Sequence, residues 1–168
     1  MSIITTAQEL AEAIICDPER VAASLGRIHR FGGQVQHCTV LRHSLHVFER
    51  LDADAEASDA ARLWALLHDC HEILTGDVVR PYVTARLRMD QEAIDAAIVA
   101  RLPLRVPQPE SIEWGRVVAA DRAVGEWEML EIQEGRTPYA FISRGAKSWA
   151  ELVSYFIFGG REHSNETT

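Results

Sequence analysis

Apolar residues recur along this chain at intervals of three and four, the spacing that lines one face of a helix, while strict alternation of apolar and polar positions is almost absent. Thr6-Ala7-Gln8-Glu9 has the form of a capping box, and Leu10, Ala13 and Ile14 continue a first short helix. Asp17 and Pro18 open a second, with Asp as cap and Pro in the first turn. It carries Val21, Leu25 and Ile28 and stops at Phe31-Gly32-Gly33. After a loop over residues 34–38, Thr39 caps a third helix bearing Leu41, His43, Leu45, His46, Val47, Phe48 and Leu51. An acidic connector over residues 52–59 ends at the next cap, Ser58 or Asp59. The helix that follows, over residues 60–74, is predicted to be central, because Leu63, Leu66, Leu67, Ile73 and Leu74 give it a buried face. It ends at Thr75-Gly76, and Pro81 keeps the next segment out of it.

Residues 89–102 read as a further helix, closed by Pro103, Pro107 and Pro109. A long amphipathic helix over residues 110–133 carries Ile112, Val117, Val118, Val124, Trp127 and Leu130 and is stopped by Gly135. The stripe of Trp127 and Leu130 is expected to lie in the core or at a subunit interface. Ser148-Trp149-Ala150-Glu151 has the form of a second capping box and opens a last helix through Phe158. The pattern thus predicts an all-α chain: one compact helical domain over residues 1–160 and a flexible tail over residues 161–168, with His163 unstructured in that tail.

Composition narrows the partners. With 168 residues, the chain can bury one sizeable core. A net charge of −8 argues against duplex nucleic acid, which needs a basic face. Cys16, Cys38 and Cys70 are odd in number and show no CxxC spacing, which points to a reducing cytoplasm rather than a disulfide framework. The first ten residues lack the basic and apolar regions of a signal peptide, and no stretch is apolar enough for a membrane span. No membrane partner is expected.

The chemistry concentrates where polar residues interrupt apolar runs. His68, Asp69 and Glu72 follow directly on buried leucines, and a carboxylate there is costly unless it is paired or bound to a cation. On a continuous helix His68 and Glu72 would stack on one face, with Asp69 about 100° round. Asp121 is a lone carboxylate within Val117-Val118-Ala119-Ala120-Asp121-Arg122-Ala123-Val124. Taken singly, Asp121 reads as an ion pair with Arg122 or with a neighbouring helix, and His43 as a packed or surface side chain. Taken together, His43, His68, Asp69 and Asp121 are enough for two imidazole and two carboxylate ligands, a set suited to a divalent transition ion with open positions. Of the other histidines, His46 is expected to pack between helices, His71 to be exposed, and His37 to stand near the pocket mouth.

The order His43…His68-Asp69…Asp121 resembles that of the HD-domain phosphohydrolases, all-helical enzymes named for the His-Asp pair. Arg30-Phe31-Gly32-Gly33, His43-Ser44-Leu45, Leu67-His68-Asp69, Glu72-Ile73-Leu74-Thr75-Gly76-Asp77 and Pro81 are similar to motifs of the bacterial 5′-deoxynucleotidase branch and its bacteriophage relatives. The resemblance covers roughly residues 17–130. It implies that His43, His68, Asp69 and Asp121 ligate a divalent transition metal, such as Co, Mn or Zn. Glu72 would orient or deprotonate the attacking water, and Asp77 would meet the sugar or the phosphate-side water network. Arg30 would contact phosphate, Phe31 the sugar or base, and Pro81 would shape the base pocket. The Gly33 position is bulkier in some phage members, so here other side chains would set the base pocket. One departure is Arg42, where the family often has Glu before the first ligand histidine; it is expected to alter an outer-shell pairing.

The resemblance further implies a homo-oligomer in the cytoplasm, that of the host for a phage protein. The expected activity is that of a 2′-deoxynucleoside triphosphohydrolase preferring dATP, with a 5′-deoxynucleotidase acting on monophosphates as the alternative. A catalytically silent nucleotide-binding regulator is the rival from another class; such a protein would lack a ligand, and all four positions are filled. Arg80 and Arg86 could reach substrate phosphates from a neighbouring subunit, or simply be solvated.

Overall fold

The computed structural model describes residues 3–103, 106–109, 111–139 and 145–159, and the expected tail with His163 lies outside them. The fold is all-α. In chain order the helices are α1 (Ala7–Cys16), α2 (Pro18–Leu25), α3 (Val40–Asp52), α4 (Asp59–Leu67), α5 (Glu72–Thr75), α6 (Ala85–Arg101), α7 (Ile112–Gln133) and α8 (Ala146–Phe158). Two 3-10 turns, Phe31–Gly33 and Arg80–Tyr82, punctuate the connections. No strand occurs among the described residues; His29 and Thr39 form an isolated antiparallel bridge. No helix among them is long and apolar enough to cross a membrane.

The centre of the molecule is α4, buried on nearly every side: Ala61, Leu63, Trp64, Ala65, Leu66 and Leu67 all lie in the core. It packs against α3, α7 and α8. Trp64 stacks on Trp114 of α7 at 5.8 Å, and Phe48 of α3 meets Phe156 of α8 edge-on at 6.0 Å. The indole of Trp149, fully buried on α8, donates to Leu66 O at 3.1 Å. Trp149→Ala should therefore cost about 3–5 kcal/mol, since it leaves both a large cavity and an unpaired buried carbonyl. Denaturant unfolding checks this; a loss below about 1 kcal/mol would show that α8 is not anchored there.

The capping signals at Thr6, Asp17, Thr39 and Ser58 hold, each side chain accepting from a backbone N–H of the first turn. Four helix boundaries differ from the expected ones by more than two residues. α2 ends at Leu25, before Ile28, because Ile28 O accepts from Val40 N and Arg30 N donates to Cys38 O at 2.9 Å, which closes the intervening loop by cross-chain pairing. α6 begins four residues earlier than Met89, on the Thr84 cap, whose hydroxyl accepts from Leu87 N. α8 begins at Ala146; the helical bond from Trp149 N to Gly145 O places Ser148 inside the first turn, so it caps nothing. The fourth difference bears on chemistry: the expected continuous helix over residues 60–74 breaks after Leu67.

Candidate metal centre

The break after Leu67 decides where the His-Asp pair points. Cys70 N donates to Leu67 O, Glu72 N to Asp69 O and Ile73 N to Cys70 O, at 2.9 to 3.1 Å. These are i+3 bonds, and in a turn of three residues positions i and i+3 eclipse. Asp69 is thereby brought over Glu72, in place of the His68–Glu72 stacking of a continuous helix. His71, expected to be exposed, is thus turned inward, and its Nδ1 lies 3.0 Å from Asp95 Oδ1 of α6.

The four expected ligands converge. His43, wholly buried on α3, places its ring 5.5 Å from that of His68. His43 Nε2 lies 3.0 Å from Asp121 Oδ1 and 3.7 Å from Asp69 Oδ2. His68 Nε2 lies 3.3 Å from Asp69 Oδ2 and 3.9 Å from Asp121 Oδ1. Donor atoms each about 2.1 Å from one ion would stand about 3.0 Å apart at right angles and about 3.4 Å apart at the tetrahedral angle. The separations among His43, His68 and Asp69 are close enough for a shared cation, and Asp121 stands beside the two imidazoles.

The ring tautomers fit as well. His68 Nδ1 lies 2.9 Å from Ala65 O, and His43 Nδ1 lies 3.1 Å from Glu128 Oε1. A carbonyl and an ionised carboxylate only accept, so both Nδ1 atoms carry hydrogen. That leaves both Nε2 lone pairs facing the two carboxylates, an arrangement of acceptors that a cation satisfies. His68 Nε2 is buried without a hydrogen bond, Asp69 Oδ2 lying out of line for one. Two sets of side chains, His43–His68–Asp69 and Asp69–His71–Glu72, are each close enough to hold a metal ion.

Without an ion, a proton takes its place. Burial alone would lower the pKa of His68, but Asp69 and Asp121 raise it to about 9. Asp69 is buried too, yet His68, His43 and Arg30 hold it well below the usual carboxylate range. Because the folded pKa of His68 is raised above its usual 6.5, its stabilising contribution to the metal-free fold is complete below that value and fades as pH rises through about 9. An incoming ion must displace this proton. Divalent-ion affinity should consequently rise with pH by up to about tenfold per unit between pH 6.5 and 9. Chelator competition across that range measures it, and a flat profile would contradict the ligand role of His68.

The centre opens into a cavity of about 880 Å³, lined among others by Arg30, Phe31, Asp69, Glu72, Asp77 and Asp121. Of the expected substrate residues, Arg30, Phe31 and Asp77 stand in this wall, whereas Gly33 and Pro81 are exposed and outside it. Val78, Val79, Val83 and Met129 supply the apolar side. Arg30 is held from beneath, its guanidinium 3.2 Å from Glu128 Oε2 and 3.4 Å from Asp69 Oδ2. Phe31 sits at φ 57°, strained for a non-glycine residue, with its ring centroid 5.7 Å from the Arg30 guanidinium carbon. Glu72 is 8% exposed, and its Oε2 has no partner. Burial, with Asp69 and Asp77 nearby, pushes its pKa up to about 9. Burial likewise raises Asp77, against the pull of Arg30 and a hydrogen bond from the Phe31 backbone.

The remaining candidates fall outside the centre. His46 packs edge-on against Trp127 and Tyr139, as expected, and burial lowers its pKa. Trp127 is half-buried in that cluster, while Leu130 is exposed beside the cavity. Arg86 is exposed and pairs with Asp90 on its own helix; His37 is exposed, and the side chain of Arg80 lies outside the described residues. Arg42 donates to Tyr139 O at 2.7 Å, tying down the segment after α7.

Three groups were not anticipated from the sequence: Glu128, which binds His43 and Arg30; Tyr139, whose hydroxyl donates to Glu128 at 2.7 Å; and Asp95, which holds His71. A signal for Glu128 exists, since it follows Asp121 by seven residues and shares a helical stripe with buried Val117 and Val124. Comparison of the chain with protein-family profiles and with curated proteins finds no match to either.

Proposed function

We propose that this chain is a metal-dependent HD-type phosphohydrolase of 2′-deoxynucleotides, acting on deoxynucleoside triphosphates with dATP preferred. The observation that carries this reading is the convergence of His43, His68, Asp69 and Asp121 beside a nucleotide-sized cavity that Asp69 and Asp121 line. Two imidazoles with two carboxylates suit a transition ion such as Co, Mn or Zn. Such an ion would polarise a phosphoryl group and acidify water.

The chain's own residues divide the remaining work. Arg30 faces the phosphates from the cavity wall, Phe31 and the valine wall take the nucleoside, and Asp77 meets the sugar or its water. Glu72 takes a proton from the attacking water. Burial first, and the charges of Asp69 and Asp77 after it, raise its pKa; neutralising Asp69 removes one of those contributions, so the carboxylate form that can accept the proton is opposed less. Attack at the phosphorus nearest the nucleoside releases deoxynucleoside and triphosphate in one step. A second reading, hydrolysis of deoxynucleoside monophosphates, draws support from the cavity wall. Arg30 and Arg122 are its only arginines or lysines among the described residues, against several carboxylates.

Incubating protein loaded in turn with Co²⁺, Mn²⁺ and Zn²⁺ with each dNTP and dNMP, and identifying the products, separates the readings. Deoxyadenosine and triphosphate from dATP are expected. Orthophosphate from dAMP alone would establish the monophosphate reading, dADP would place attack at the far phosphorus, and no product from any substrate would leave a nucleotide-binding regulator.

A further inference from the structure

We infer that Glu128 is the positioning residue of this centre: a single buried carboxylate that orients the ligand His43 and the substrate-facing Arg30 together. The inference rests on the metal-centre reading and goes one layer outward from it.

Glu128 has no exposed surface, and its two oxygens face hydrogen-bond donors. Oε1 accepts from His43 Nδ1 at 3.1 Å, from the Tyr139 hydroxyl at 2.7 Å and, more weakly, from Cys38 Sγ at 3.7 Å. Oε2 lies 3.2 Å from both Nε and Nη2 of Arg30. Five donor atoms from four residues thus meet one anion. Gln has the same shape, but its amide nitrogen would face donors on one side, so only a carboxylate satisfies the set. Leaving buried donors unpaired is costly, which fixes the carboxylate in place and fixes what it holds.

Two consequences follow for the centre. The hydrogen bond to Nδ1 keeps His43 in the tautomer whose Nε2 lone pair faces Asp69 and Asp121, and it sets the ring plane. The bond to Arg30 holds the guanidinium in the cavity wall, 3.4 Å from Asp69 Oδ2. Tyr139 and Arg42 extend the network: the Tyr139 hydroxyl binds Glu128, and its carbonyl accepts from Arg42, on the helix that carries His43. The segment after α7 is thereby locked to the same carboxylate that aims the ligand.

The test uses the full chain and Co²⁺ as probe. Glu128→Gln should keep the helical circular dichroism of the wild type yet bind Co²⁺ about 10–100-fold more weakly, the usual cost of losing the partner of a ligating histidine. Its Co²⁺ absorption bands should shift, because the angle of the His43 ring changes. A purely structural role would lower the melting temperature and leave affinity and spectrum alone, and wild-type-like Co²⁺ binding by this variant overturns the inference. Should Glu128→Gln not fold, ¹⁵N-histidine spectra of the wild-type Zn²⁺ form decide instead. They should show His43 protonated at Nδ1 and metallated at Nε2, and the reverse pattern overturns the inference. A wild-type chain that binds no divalent ion would bring down the metal-centre reading itself, and this inference with it.

Discussion

Asp69→Ala should yield a protein that folds but holds no divalent ion and loses the proposed phosphohydrolase activity by well over about 10²-fold. Loss of a ligand's outer partner already costs about 10–100-fold, and Asp69 is itself a ligand candidate. It is also the residue that most of the centre touches: Oδ2 lies 3.3 Å from His68, 3.7 Å from His43 and 3.4 Å from Arg30. Its removal leaves the two imidazoles with one carboxylate, and the local charge balance tips positive by one. Metal analysis of the purified variant beside its rate is the measurement. Activity at the wild-type level in metal-free Asp69→Ala protein would refute the centre altogether.

Glu72→Gln should do the opposite to the metal: the ion stays, and turnover falls by about 10²–10⁴-fold, the scale of a lost general base. Stability supplies a second, independent signature. Glu72 is buried with an unpartnered oxygen, and its pKa in the metal-free fold is raised to about 9 from the usual 4.5. A carboxyl whose folded pKa lies above its unfolded one destabilises the fold progressively as pH climbs between those values. Gln carries no such charge. The metal-free variant should therefore melt higher than the metal-free wild type at pH 7 to 8, by at least about 3 °C, and the gap should close toward pH 4.5. Loss of the ion would instead make Glu72 a ligand, and equal melting temperatures at pH 8 would contradict its buried, protonated state.

The helices were legible in the sequence because their signals are local. Thr6, Asp17, Thr39 and Ser58 cap because a side-chain oxygen reaches a backbone N–H two or three residues on, whatever the rest of the chain does. Leu63, Leu66 and Leu67 read as core because their spacing leaves one face apolar, and that face is buried. The grouping of His43, His68, Asp69 and Asp121 came from their combination, since singly His43 and Asp121 read as ordinary packed or paired residues; the structure brings the four side chains near one another.

Only the tertiary structure decided the rest. Periodicity carries Leu67 smoothly into Glu72, yet the chain tightens there into i+3 bonds, which sets Asp69 over Glu72 and turns His71 inward to Asp95. Helix α2 gives up its last turn to pair with the start of α3, a bargain between residues twelve apart that no local window contains. Gly33 and Pro81 stand outside the cavity, and Val78, Val79 and Val83 line it, because the walls depend on how the loop between α5 and α6 lies against α7. Glu128 is the clearest case. Alone it is one acidic residue in an amphipathic helix; its meaning comes from His43, Arg30 and Tyr139, which are 85, 98 and 11 residues away. Spacing along a chain reports which faces are apolar, whereas the partner of a buried charge is fixed only when distant segments pack and remove the water that would otherwise serve it.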